Sequence, residues 1–291
     1  MFENYIKEPF FSDKDRENYF KYKVLVGDSL KDIAQRYMNR EIPMLEALDI
    51  IHDMDIQGVG EYTRDLFFVF ECTPILEKIY EDAGLEKEIF TFFLHDIKYK
   101  IDECYRIKDI FGTFVITWYN VFFEFRRVAL GRLQFDMAKF DEEPITVGEY
   151  TLGKGDFFLR CHIPSSGPLK DELCKESLDR AYKLFADKLK GGILPITLRT
   201  WFLYPEYTPV FGENSNAVDF GKNFKILKVR EFNEFEDAWR VFGTDDYEDL
   251  SKLPANTTLQ KNFIEYIRSG KPFGDGMGIL LYDGERILTR R

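Results

Sequence analysis

The sequence predicts a mixed α+β protein in two parts, a helical bundle followed by a domain of sheet and helix, and three observations predict it. Apolar residues recur at spacings of three and four from Asp28 to about Leu130, as in Leu30, Ile33, Ala34 and Tyr37, then Leu76, Ile79 and Tyr80. Near Gly131 the pattern changes to alternation, in RLQFDMAKF, ITVGEYTL and DFFLRCHI. The chain's 291 residues exceed the usual span of one domain, and its 45% apolar content supplies core material for two. The expected domains are residues 1–128 and 129–291.

In the helical part, Thr73-Pro74 reads as a helix start with proline in the first turn, Gly84 as a helix end, and Gly58 with Gly60 as a loop between helices. In the second part the Gly153-Lys154-Gly155 turn separates two strands. A helix is expected from about Leu169, with Leu173, Leu178, Ala181, Phe185 and Leu189 on one side and Gly191-Gly192 at its end. ILPITLRTWFLYP is a further buried strand, followed beyond Pro205 by a loop and a short helix near Asn216 to Lys222. There Asn216, with Asp219 three residues on, reads as a reciprocal cap. FKILKVREF is a strand, Thr257 with Gln260 forms a capping box, and Gly270 closes the helix it opens. The chain is expected to finish as a hairpin around Asp283-Gly284.

A formal net charge of -11 without a Lys/Arg block repels a phosphate backbone, so nucleic acid is excluded as a partner. No stretch has the roughly 18 uncharged apolar residues of a membrane helix, and MFENYIKEPFF lacks a basic segment leading into an apolar run. A cytoplasmic location is therefore expected. Cys72, Cys104, Cys161 and Cys174 form no CxxC pair and have no histidine cluster nearby, so they read as reduced, buried thiols and no metal is expected.

The stretch CHIPSSGPLKDELCKESLDRA, residues 161–181, carries the most chemistry. A helix start offers unbonded N–H groups and the positive end of the helix dipole, so Ser165-Ser166-Gly167 can hold a phosphate, with Gly167 allowing close approach. Pro168, which lacks an N–H, and Asp171 with Glu172 equally describe an ordinary helix start. Neighbours on a strand point to opposite faces, so Cys161 and His162 cannot act as a nucleophile and its base. Cys161 goes with the core, and His162 is the better candidate to act. His52 and His95, each beside an aspartate, are given no role. FGDGMG at 273–278 follows a helix and leads into a strand, the reverse of a dinucleotide-binding turn. Glu213, Ser215 and Asn216 are polar candidates for a cleft.

LGRLQFD at 130–136, HIPSSGPL at 162–169, TWFLYP at 200–205, SNAVDF at 215–220 and TTLQKNFIEYIRSGKPFGDGMGIL at 257–280 together resemble a family of bacterial acyltransferase-domain proteins. Its members pair a helical N-terminal domain with a GNAT-like C-terminal domain. The resemblance implies a central, mostly antiparallel sheet and an acyl-coenzyme A co-substrate, acetyl-CoA or another acyl-CoA, in a V-shaped opening between two strands. By position these are Phe157 to Ile163 and Ile196 to Leu203, with the pyrophosphate on the loop Ser165 to Leu169. Cys161, Ile163, the amides of Ser165, Ser166, Gly167 and Leu169, the charge of Lys170, and Asn216 are the implied cofactor contacts. The implied chemistry is attack of an amine on the thioester, with His162 or Glu213 as base and Tyr204 or Ser215 as acid. The acceptor would be a small-molecule amine, and the acidic surface is compatible with a cationic one. The glycine-rich pattern usual in such loops is absent, and Ser166 stands where a second glycine is expected. A non-catalytic acyl-CoA binder or interaction protein on the same scaffold is the alternative.

Overall fold

Helices form most of the chain as far as Phe123. They are α1 (Asp13–Val26), α2 (Lys31–Met38), α3 (Met44–Asp53), α4 (Glu61–Asp82), α5 (Lys87–Lys108) and α6 (Asn120–Phe123). The computed structural model describes residues 2–212, 214–244 and 246–290. The chain divides into two compact units, Met1–Ala129 and Leu130–Arg291.

In the first unit α4 packs against α1, α2, α3 and α5. Its Leu66, Phe67, Phe68, Val69 and Phe70 are all buried, as expected of a helix with neighbours all round it. Pro74 does not start a helix; it lies inside α4. Its ring removes the N–H that would reach the Phe70 carbonyl and crowds that carbonyl, and the burial of the flanking turns outweighs the cost. Gly84, at φ 69, follows the end of α4 as expected, and Gly60 caps its start. The apolar spacing does not reveal α1, because only Asp15, Tyr19 and Val26 of its residues are buried. A capping box of Ser12 and Asp15 marks its start.

The first unit closes with β1 (Arg127–Ala129), and the second continues with β2 (Gln134–Lys139), β3 (Ile145–Val147), β4 (Tyr150–Leu152) and β5 (Phe157–His162). Then come α7 (Asp171–Leu184), β6 (Leu194–Thr200), α8 (Thr208–Phe211), α9 (Asn216–Gly221), β7 (Lys225–Phe232), α10 (Ala238–Phe242), α11 (Thr258–Arg268) and β8 (Phe273–Tyr282). The second unit's main sheet runs β2-β5-β6-β8-β7. Its neighbours are antiparallel except β5 and β6, which run parallel, so the mostly antiparallel sheet is found. The β3–β4 hairpin covers one face, placing Tyr150 and Leu152 on Phe158, Ile279 and Leu281.

α7 lies along the other face of β5 and ends earlier than its sequence implies. It buries Cys174, Ser177, Leu178 and Ala181, which turns Leu173 outward to 41% exposure, and Leu189 lies beyond its end. Ser177 Oγ accepts from the Leu133 N–H at 3.2 Å, fastening the helix to the segment that leads into β2. Thr257 and Gln260 form the expected capping box. The chain's last turn falls short of a hairpin of two strands: past Tyr282 the pairing is a single bridge to Ile287 and the Leu288 N–H to the Leu281 carbonyl at 2.8 Å.

β6 also stops early, at Thr200, and Trp201–Leu203 turns into a 3-10 helix across β8. The glycines of FGDGMG make this possible. They lie within β8 itself, and a Cβ on Gly276 would sit 2.2 Å from the Leu203 carbonyl oxygen, one on Gly274 2.6 Å from the Tyr204 ring. Their role is close approach of backbone to strand.

Candidate functional site at the end of the parallel strand pair

The two parallel strands pair through Leu159–Ile196 and Arg160–Thr197, short of their ends at His162 and Thr200. The chain leaves β5 at this unpaired end and enters the loop Pro164 to Lys170. Gly167 takes φ 91, where an L side chain is strained, so glycine is required there for the backbone's path. The start of α7 has Lys170 at the cap position with no side-chain cap bond. The N–H groups of Ser165, Gly167 and Leu169 have no partner among the described residues, whereas that of Ser166 donates to the Pro164 carbonyl at 2.8 Å. Ser166 Oγ is buried and also without a partner among the described residues. A buried, unbonded hydroxyl beside three unbonded amides fits an anion with several acceptor oxygens.

Beneath the loop lies Arg132, which is 8% exposed. Its Nη1 donates to the Pro164 carbonyl at 3.0 Å, Nη2 to that of Gly167 at 2.7 Å, and Nε to that of Pro168 at 3.2 Å. Sequence reading passes over this residue, which lies in the stretch LGRLQFD. Cys161, also buried, has its thiol pushed far up by burial and stays neutral, so it is a core residue. Ile163 is half-buried and Lys170 exposed.

His162 faces away from Cys161, on the side of β5 that carries Arg160. Its Nε2 lies 2.9 Å from Asp136 Oδ2, a diagonal pair across the antiparallel β2–β5 ladder, in which Asp136 sits opposite Arg160. The His162 and Asp136 side chains are 28% and 14% exposed. A carboxylate on one ring nitrogen orients an imidazole. Strand register alone brings these residues together, from 26 positions apart.

The other expected catalytic residues do not join this pair. Tyr204 packs over Gly274, which points to the face of β8 opposite Asp275 and Met277, and Arg160 and His162 share the latter face. The Tyr204 hydroxyl donates to Glu231 Oε1 at 3.0 Å, and burial, then that carboxylate, hold its pKa well above the usual tyrosine range. Ser215, rather than Asn216, caps α9: its Oγ accepts from the Val218 N–H at 3.2 Å, and Asn216 begins the helix, exposed. Glu213 lies outside the described residues. Arg290 ties the two helix starts, donating to Asp219 Oδ2 at 3.0 Å in α9 and Asp171 Oδ1 at 3.4 Å in α7. This salt-bridged link has no signal in the sequence.

Elsewhere, His52, Glu61 and Asp65 bring potential ligand atoms within 4.8 Å of one another. His52 Nε2 and Asp65 Oδ1 are 2.7 Å apart, a hydrogen bond that fastens the end of α3 to α4, and burial raises the Asp65 carboxyl to about 6.

Residues 128–280 match the profile of the GNAT-like C-terminal domain family, and the chain belongs to that family. No curated protein matches the sequence. Among solved structures the fold is similar to an acyltransferase in complex with decanoyl-CoA and teicoplanin, at 17% identity and a TM-score of 0.66 over 88% of this chain and 76% of that one. It is similar also to an acyltransferase mutant in complex with octanoyl-CoA, at 18% identity and 0.64 over 87% of each chain. An acyltransferase in complex with decanoyl-CoA shares 20% identity at 0.63, over 87% of this chain and 78% of that one.

Proposed function

We propose that the chain moves an acyl group from acyl-coenzyme A to a small-molecule amine. One observation carries the reading: a loop with unbonded amides and a carboxylate-oriented histidine meet at the unpaired end of the parallel strands. The loop Ser165 to Leu169 and the start of α7 would hold the pyrophosphate. The opening between β5 and β6 would admit the thioester. Family membership and the fold shared with acyltransferases held in complex with acyl-CoA support this. A cytoplasmic setting goes with such a thioester, and no described helix is long and apolar enough to cross a membrane.

Acyl-CoA supplies the activated carbonyl. His162, oriented by Asp136, takes the amine's proton as nitrogen attacks the carbonyl carbon. The C–N bond forms, the C–S bond breaks, and the thiolate takes a proton from solvent. Tyr204 is committed to Glu231 and Ser215 to its helix cap, so neither is assigned the acid role.

Two measurements test this. Isothermal titration should show coenzyme A and acetyl-CoA binding to the wild-type chain, and thiol release from acetyl-CoA should depend on added amine. His162→Ala should lower kcat about 10²- to 10⁴-fold, the usual worth of a general base, while the Kd for coenzyme A stays unchanged. Absence of binding at millimolar coenzyme A would defeat the proposal. Binding with no thiol release across a broad amine panel would leave a non-catalytic binder.

A further inference from the structure

We infer that Arg132 is the positioning residue that makes the Pro164–Lys170 loop an anion site. This rests on the acyltransferase reading and extends it to a residue that never touches the ligand. In a trans peptide the N–H points opposite to the C=O before it, and no peptide bond here is cis. Arg132 binds the carbonyls of Pro164 and Pro168 and so directs the N–H groups of Ser165 and Leu169 away from itself. Its bond to the Gly167 carbonyl acts differently, because Pro168 has no N–H to aim. There the guanidinium withdraws an oxygen that would otherwise present negative charge to an anion. Three carbonyls turned inward and two amides turned outward amount to an anion cradle, built by a side chain from below.

A glycine-rich loop reaches such a shape through its own freedom, and this loop has one glycine, with Ser166 following Ser165. The planar fork of an arginine can hold several carbonyls at fixed angles, and its charge is permanent. A lysine would keep the charge and lose the fork.

The test compares wild type with Arg132→Lys, using coenzyme A and S-acetyl-pantetheine, which carries the same thioester without the pyrophosphate. Arg132→Lys should weaken coenzyme A binding roughly 10- to 100-fold, the scale of disturbing charge-assisted hydrogen bonds, and change kcat/KM for S-acetyl-pantetheine less than about threefold. Equal losses on both compounds would mean general damage, and no loss on coenzyme A would mean an idle arginine; either overturns the inference. Wild type failing to bind coenzyme A would instead bring down the acyltransferase reading, and this one with it. Should Arg132→Lys not fold, hydrogen exchange on the wild type decides. Saturating coenzyme A should slow exchange at Ser165 and Leu169 and leave Ser166, already bonded to Pro164, unchanged. Protection of Ser166 alone would refute the proposed orientation.

Discussion

The starts of α7 and α9 solve the same problem in opposite ways. Every helix begins with N–H groups that its own turns cannot satisfy. At α9 the solution is internal, since Ser215 accepts from Val218, and one of those donors is thereby consumed. At α7 the cap position holds Lys170, no side chain closes the first turn, and the preceding loop is held from beneath by Arg132. The first arrangement favours stability, the second keeps donors available for a ligand. Two helices tied to each other by Arg290 thus divide between them the tasks of support and recognition.

The comparison can be broken most severely on the α9 side. Gly276→Ala would place a methyl group 2.2 Å from the Leu203 carbonyl oxygen, a backbone atom, and displace the 3-10 turn that leads toward α8 and α9. The expected loss is about 3 kcal/mol or more, or no folded protein, read by urea denaturation. An alanine variant as stable as wild type would refute the packing argument. Ser215→Ala is next: losing the cap should cost about 1 kcal/mol, with thiol release from acetyl-CoA kept within a few-fold. A large fall in kcat with stability intact would instead make Ser215 a catalytic acid. The smallest effect sharpens the contrast. Lys170→Ser installs at α7 the cap that α9 already has and should raise stability by about 0.5–1 kcal/mol while weakening coenzyme A binding about threefold to tenfold. Thermal melts and titration on the same sample would show whether stability and affinity move in opposite directions.

What could be read in the sequence was local. The capping box at Thr257, the glycine turns, the change of texture near Gly131 and the loop before α7 are all set by residues within a few positions of one another. Spacing misleads where two neighbours are equally good candidates, as with Ser215 and Asn216, or where tertiary burial overrides a local preference, as with Pro74 inside α4. The residues that give the site its character were not readable in this way. Asp136 reaches His162 across 26 positions, and Arg132 reaches the loop across 32 to 36. Those contacts exist only once β2 and β5 have paired in a particular register, and a spacing pattern along one strand contains no register.

The glycine stripe of β8 has a consequence for the order in which the second unit forms. With no side chains at Gly274, Gly276 and Gly278, this length of strand has nothing of its own to bury on that face, and its core is the arriving backbone of Trp201–Leu203 and the ring of Tyr204. That partner is distant along the chain; the hydrogen bond from the Gly274 N–H to the Tyr207 hydroxyl joins residues 67 apart. Loop closure over such a span must precede any gain from the contact, which places the docking of this turn late in folding and makes strand and turn one cooperative element.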